Sequence, residues 1–170
     1  MPRRNRRPYR ESFLILACIA ALAACGRSTA PSEQQKLEQA ATDGDAEAKY
    51  LLGQNYCCGL EEGKNDEKAV AWWCEAARSG HAEASFELGR LYQEEGLPMA
   101  ASERYQRVSV KKDNSVALAW YITAEAQGSA LAKTYRALLE RQMNLVKRQQ
   151  VYALVQNPRA IPCRYQGQHL

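Results

Sequence analysis

The sequence predicts an all-α repeat solenoid, a stack of helical hairpins, and three observations predict it. The first is an internal repeat. Ala41-Thr-Asp-Gly44-Asp-Ala46-Glu-Ala48, with Leu52-Gly53 and Tyr56 behind it, recurs as Ala77-Arg-Ser-Gly80-His-Ala82-Glu-Ala84, with Leu88-Gly89 and Tyr92, at a constant offset of 36 residues. The second is helical spacing. Ala48, Leu51, Leu52 and Tyr56 fall three or four residues apart, as do Ala69, Trp72, Trp73 and Ala76, and alanine, the best helix former, fills these segments. The third is punctuation: Gly44, Gly80 and Gly128 each follow a helical run, where a left-handed C-terminal cap wants glycine.

A second block repeats with a different offset. Asp66, Lys68, Ala69, Ala71, Trp72, Trp73, Ala76 and Gly80 recur in part as Asn114, Ala117, Ala119, Trp120, Tyr121, Ala124 and Gly128, 48 residues on. The second unit therefore carries 12 extra residues, between about Glu94 and Lys112. A weaker copy of the block, Leu37, Ala40, Ala41 and Gly44, precedes the first unit. Gly59 and Gly63 punctuate the loop between the first paired helices, and Asn65 or Asp66, and likewise Asn114, are expected to cap the helices that follow. Gly53 and Gly89 lie inside helices, at up to about 1 kcal/mol each against alanine. The same cost at the same place in both units points to close helix approach, with a large neighbour such as Trp72 lying across the gap.

The pattern Ala-x-x-Gly-x-Ala-x-Ala, Leu-Gly-x-x-Tyr, Asp-x-x-Lys-Ala-x-x-Trp, Ala-Ala-x-x-Gly resembles the Sel-1-like repeat, a relative of the tetratricopeptide repeat. The units run over about 41–80 and 77–128, within a repeat region of 32–128 that holds the insertion at about 95–112; the start of a third unit, Ser129 to Leu138, is weak. The resemblance implies α/α pairs in a right-handed superhelix and a scaffold or adaptor that binds proteins or peptides. Residues 129–156 are expected to form a partial repeat and a capping helix, either one long helix or two meeting near Asn144. Leu138-Leu139, Leu145-Val146 and Tyr152-Ala153 would give them one apolar face. Pro158 and Pro162 should leave 157–170 as an extended tail.

The N-terminus carries an address. Arg3, Arg4, Arg6, Arg7 and Arg10 precede an apolar run from Phe13 to Ala24. That order marks a secretion signal, and the run falls short of the roughly 20 residues a membrane span needs. Leu22-Ala23-Ala24-Cys25-Gly26 resembles the lipobox of bacterial lipoproteins. The resemblance implies cleavage after a signal peptide of residues 1–24, lipid on Cys25, a linker over 25–31, and an outer-membrane anchor facing the periplasm. Two or more acyl chains hold such an anchor stably.

Charge narrows the function. Without residues 1–24 the formal net charge of +4 becomes zero, 18 basic against 18 acidic side chains. Nucleic-acid binders are usually clearly basic, so that class is set aside. The balance is uneven: 26–129 hold 11 basic and 17 acidic residues, and 130–170 hold seven basic and one acidic. The basic segment either packs on the acidic repeats or serves as an interaction tail.

Of six cysteines, Cys18 leaves with the signal and Cys25 takes lipid, so Cys57, Cys58, Cys74 and Cys163 are the disulfide candidates in an oxidising compartment. The favoured pairing joins Cys57 or Cys58 to Cys74 or Cys163; Cys74 sits deep for a bond to Cys57 or Cys58, and Cys163 could instead pin the tail onto the repeats. A zinc site drawing on these thiols with His81 or His169 lacks any closely spaced ligand pair, so no metal and no cofactor is expected. Ser109-Val110-Lys111-Lys112 fits the Ser-x-x-Lys of penicillin-recognising enzymes, but its companion motifs are absent. Glu61-Glu62 and Glu94-Glu95 read as solvated loop charge. No catalytic residue and no small-molecule substrate is expected. The leading expectation is an interaction scaffold for a periplasmic or envelope protein. Tyr50, Tyr56, Arg90 and Tyr92 on the first helix of each pair, with Tyr105 and Arg107 in the insertion, are the candidate anchors. Tyr56 and Tyr92 also fit a packing role between repeats. The alternatives are a structural cell-wall factor working through its basic C-terminus and, behind it, a cysteine-rich hydrolase of β-lactam type.

Overall fold

The computed structural model describes residues 31–58, 63–94 and 110–165, which hold seven α-helices and, among the described residues, no strand. They are α1 (Glu33–Thr42), α2 (Ala46–Cys58), α3 (Asp66–Arg78), α4 (Ala82–Tyr92), α5 (Asn114–Ala126), α6 (Ala130–Gln142) and α7 (Leu145–Val155), with a 3₁₀ turn at Pro158–Ala160. No helix among them is long and apolar enough to cross a membrane. Each helix from α1 to α6 packs on the next, so the α/α solenoid is observed; α7 breaks the order and packs on α5. The residues around Cys25, the Glu61-Glu62 pair, Tyr105, Arg107, Ser109 and His169 lie outside the described residues.

Local chemistry sets the helix ends. Gly44, Gly80 and Gly128 hold φ of +106°, +92° and +106°, the left-handed caps expected of them. Asn65 caps α3, accepting from the Lys68 amide at 2.9 Å. The cap of α5 is Asp113 and not Asn114: its carboxylate accepts from the Ser115 and Val116 amides at 2.7 and 3.4 Å. Asn114, one residue too late to cap, uses its side chain to hold Glu94. We expect Asp113→Ala to cost about 1 kcal/mol, read as a lower urea midpoint at unchanged m-value, with Asn114→Ala costing less.

The insertion leaves the hairpin neck intact. In the first hairpin the Asn65 amide donates to the Tyr56 carbonyl at 2.9 Å; in the second, Asp113 donates to Tyr92 at 2.8 Å. These are matched positions of the two units, so the extra residues leave and re-enter at a neck built like the first.

The core is a file of alanines and aromatics. Trp73, Trp120 and Tyr121 are fully buried. The ring lying across Gly53 belongs to Trp73, not Trp72, and the ring across Gly89 belongs to Tyr121, the matched residue of the next unit. Trp72 instead packs half-buried on a smaller cluster of Ala41, Ala48 and Leu52 between α1 and α2. The junctions between repeats also match. Lys49 donates to the Ser79 hydroxyl at 3.2 Å. One unit on, Gln127 accepts from Ser85 at 2.6 Å and donates to the Ala77 carbonyl at 2.9 Å.

The C-terminal segment departs most from expectation. The chain breaks at Met143, and Asn144 caps α7 by accepting from Lys147. That turn splits the sevenfold apolar pattern. Leu139 and Val151 are buried, while Leu145, Val146 and Tyr152 are exposed. The tail is not a loose strand. After the 3₁₀ turn, Ile161 is buried and the Pro162 carbonyl accepts from the Trp120 indole at 3.1 Å. The described contacts that hold the tail after the 3₁₀ turn are uncharged ones. Earlier in the basic segment, Arg136 pairs with Glu125 at 2.8 Å.

Candidate partner-binding face

The first helices of the two pairs, α2 and α4, place the candidate anchors, and the structure treats the four described ones differently. Tyr50 is half-buried, its ring stacked on that of His81 with centroids 4.5 Å apart at 21°. His81 stands where Asp45 stands in the previous unit, as the N-cap of α4. Its Nδ1 accepts from the Ala84 amide at 3.1 Å, which leaves the proton on Nε2, 2.8 Å from Glu47 Oε2. A cap, a ring stack and a charged hydrogen bond therefore fix one imidazole at the junction between repeats.

The surroundings of Tyr50 are acidic. Its hydroxyl accepts from Gln54 at 2.6 Å. Burial pushes the phenol up to about 12, helped by the charges of Glu87, Glu83 and Glu47. Since the folded value lies above the unfolded one near 10, this phenol binds more protons in the native state between those values. Its stabilising effect is full below pH 10 and is lost as pH rises through about 12. Tyr92, Tyr121 and Tyr152 are also raised, so the Tyr50 step is read as the difference in phenolate absorbance between the native chain and Tyr50→Phe, and Glu47→Gln with Glu83→Gln should bring that step earlier.

Tyr56 is half-buried at the seam of the two clusters, with Lys68 Nζ 5.0 Å from its ring centroid. Arg90 lies 3.4 Å from Glu87 and over the Phe86 ring at 5.9 Å, so it is a held group and not a free arm. Tyr92 is corrected outright. It is 4% exposed, and its hydroxyl accepts from the Arg164 amide at 2.9 Å and donates to the Arg164 carbonyl at 3.2 Å. It clasps the tail and has no surface to offer a partner. The expectation passed over His81, Glu47 and Glu83. The one signal for His81 was its place after Gly80, where the other units carry Asp45 and Ser129.

All four cysteine candidates are paired, and only the favoured pairing is corrected. Cys57 and Cys58 pair with each other at the end of α2, and Cys74 pairs with Cys163 across a Cα–Cα distance of 5.9 Å. Cys74 is buried on α3 and bonded to the tail, so no disulfide joins the two sets. Of the Ser-x-x-Lys pattern only the lysine end is described: Lys112 Nζ donates to the Leu91 carbonyl at 2.7 Å.

The Sel1 repeat family matches residues 46–81 and 82–129. Those two matches are the α2–α3 and α4–α5 hairpins, the second including the insertion. No curated protein matches the chain.

Proposed function

We propose that this chain, which carries two Sel1 repeats in tandem, is a protein-binding scaffold held at the outer membrane by lipid on Cys25 and turned towards the periplasm. The observation that carries the binding reading is the Tyr50–His81 stack at the repeat junction, with exposed Glu47 and Glu83 beside it. Aromatic side chains dominate interface energetics, and a ring already immobilised loses little freedom on binding. The acidic rim favours a cationic segment on the partner and speeds its encounter. The anchor rests on the basic stretch, the apolar run and the lipobox-like Leu22–Gly26. No catalytic step is assigned to any residue.

A crosslinked pull-down from membranes tests both parts. The native chain should capture a protein that Glu47→Lys with Glu83→Lys releases, both at exposed positions, with circular dichroism checking the fold because Glu47 also bonds His81. Cys25→Ser should move the chain to the soluble fraction. Recovery of wall polymer with no enriched protein would overturn the scaffold and make the basic C-terminal segment the working part.

A further inference from the structure

Four of the five exposed large apolar side chains among the described residues lie in α6 and α7, and the two most exposed are neighbours. Leu145 is 62% and Val146 61% exposed. Their exposure has a local cause. Asn144 starts α7 immediately before them, so both sit in its first turn, ahead of Val151, the residue that roots α7 in the core. Met143, just before the cap, is partly buried against the core and fixes the turn from below. The result is a rigid helical corner tipped with two branched apolar side chains.

Cations bracket that corner. Arg141 in the last turn of α6 and Lys147 in the first turn of α7 are both exposed, and no acidic residue follows Glu140. Two carboxylates stand on the inner side of the corner, Glu94 and Asp113. Asp113 caps α5 and Glu94 holds Asn114, and Lys147 borders the same hollow; Arg141 and Lys147 nevertheless remain exposed to solvent. Exposed adjacent apolar groups need a reason. Apolar tips ringed by Lys and Arg match a bilayer interface, where apolar groups enter the acyl boundary and cations meet anionic headgroups.

We infer that the α6–α7 corner is a membrane-contact tip: Leu145 and Val146 enter the interface of an anionic bilayer while Arg141 and Lys147 lie against its phosphates. The contact needs no lipid on Cys25 and would add to such an anchor, since single weak membrane signals are reversible and two together hold. It also stands apart from the α2–α4 face, so either can fail without the other.

The test places a reporter at the tip. The full chain bearing Val146→Trp is mixed with phosphatidylglycerol vesicles whose acyl chains are brominated, and the unsubstituted chain supplies the background of the native tryptophans. The added indole should be quenched by phosphatidylglycerol and little by brominated phosphatidylcholine. At about fivefold per cation, Arg141→Gln with Lys147→Gln should raise the lipid needed for half-quenching on the order of 30-fold. These side chains are exposed, so circular dichroism should be unchanged. An added indole that stays unquenched while the chain sediments with the vesicles would overturn the proposal, because other parts would then hold the membrane. So would equal quenching in both lipids, or no response to the two glutamines. A dimer in sedimentation that Leu145→Asp dissociates, with no quenching, would make the corner a protein contact instead.

Discussion

Cys163→Ser should lower the stability of the oxidised protein by about 3–5 kcal/mol, the largest single loss expected at a residue outside the helices. Cys74 and Cys163 close a loop with a sequence separation of 89, and the entropy removed from the unfolded chain by so long a loop accounts for that size. The other tail contacts remain in the variant. Ile161 still fills its site, the Trp120 indole still has the Pro162 carbonyl, and Tyr92 still has Arg164. They must then act without the covalent tie, against the freedom of an untethered end. Domains of this size are stable by only 5–15 kcal/mol, so the variant should melt much earlier. Denaturant titration with and without reductant checks it. Reductant should bring the native chain down to the level of Cys163→Ser and leave the variant almost unmoved. The Cys57–Cys58 pair, one residue apart, closes no loop worth an entropy change, so the effect of reductant belongs to Cys74–Cys163. A variant as stable as the native chain would mean that the tail is held by its noncovalent contacts alone.

Gly89→Leu should be as damaging, at about 3 kcal/mol or more. Any Cβ at this position runs into the Tyr121 ring. The ring has nowhere to retreat. It is fully buried, packs on Phe86 and Tyr135 with centroids 5.7 and 5.2 Å away, and donates its hydroxyl to Gln93 at 2.7 Å. Gly89→Ala separates the opposing effects. Alanine gains up to about 1 kcal/mol of helix propensity and loses more by overpacking, so a net loss of about 1–2 kcal/mol is expected. Shrinking the partner should recover part of it: Tyr121→Leu with Gly89→Ala should cost less than the sum of the two. A stabilising Gly89→Ala would show that the helices have room to part, and the close approach would then not explain the glycine. Gly53 and Trp73 form the same pair one repeat earlier, so Gly53→Ala should follow Gly89→Ala in sign.

The features legible in the sequence were those settled within a few residues of chain. Helical spacing, alanine content and glycines past helix ends state local backbone preferences. The hairpins and the three positive-φ caps agree with them, and of the one-helix and two-helix alternatives for 130–156 the structure has two helices. The insertion showed because a 36-residue offset became 48, and the structure closes it with the hydrogen bond that closes the first hairpin. Neighbouring positions were harder. Trp72 and Trp73 lie about 100° apart on a helix, and period alone did not say which crosses the glycine. Asp113 and Asn114 differ by one residue, and only the onset of helical backbone made the aspartate the cap.

Tertiary structure decided whatever joins distant parts of the chain. That Cys163 could pin the tail was open to the sequence, but nothing near it says that its partner is Cys74, and nothing near Tyr92 says that its hydroxyl serves the backbone of Arg164, 72 residues on. The Tyr50–His81 stack joins α2 to the N-cap of α4 across the repeat junction. The apolar sevenfold pattern of the last segment predicted one face, and the cap at Asn144 turned the chain and left Leu145 and Val146 in the open. Local preferences are carried by each residue and its neighbours, so sequence alone states them; contacts between remote residues depend on how the whole stack closes, and only the packed chain contains that information.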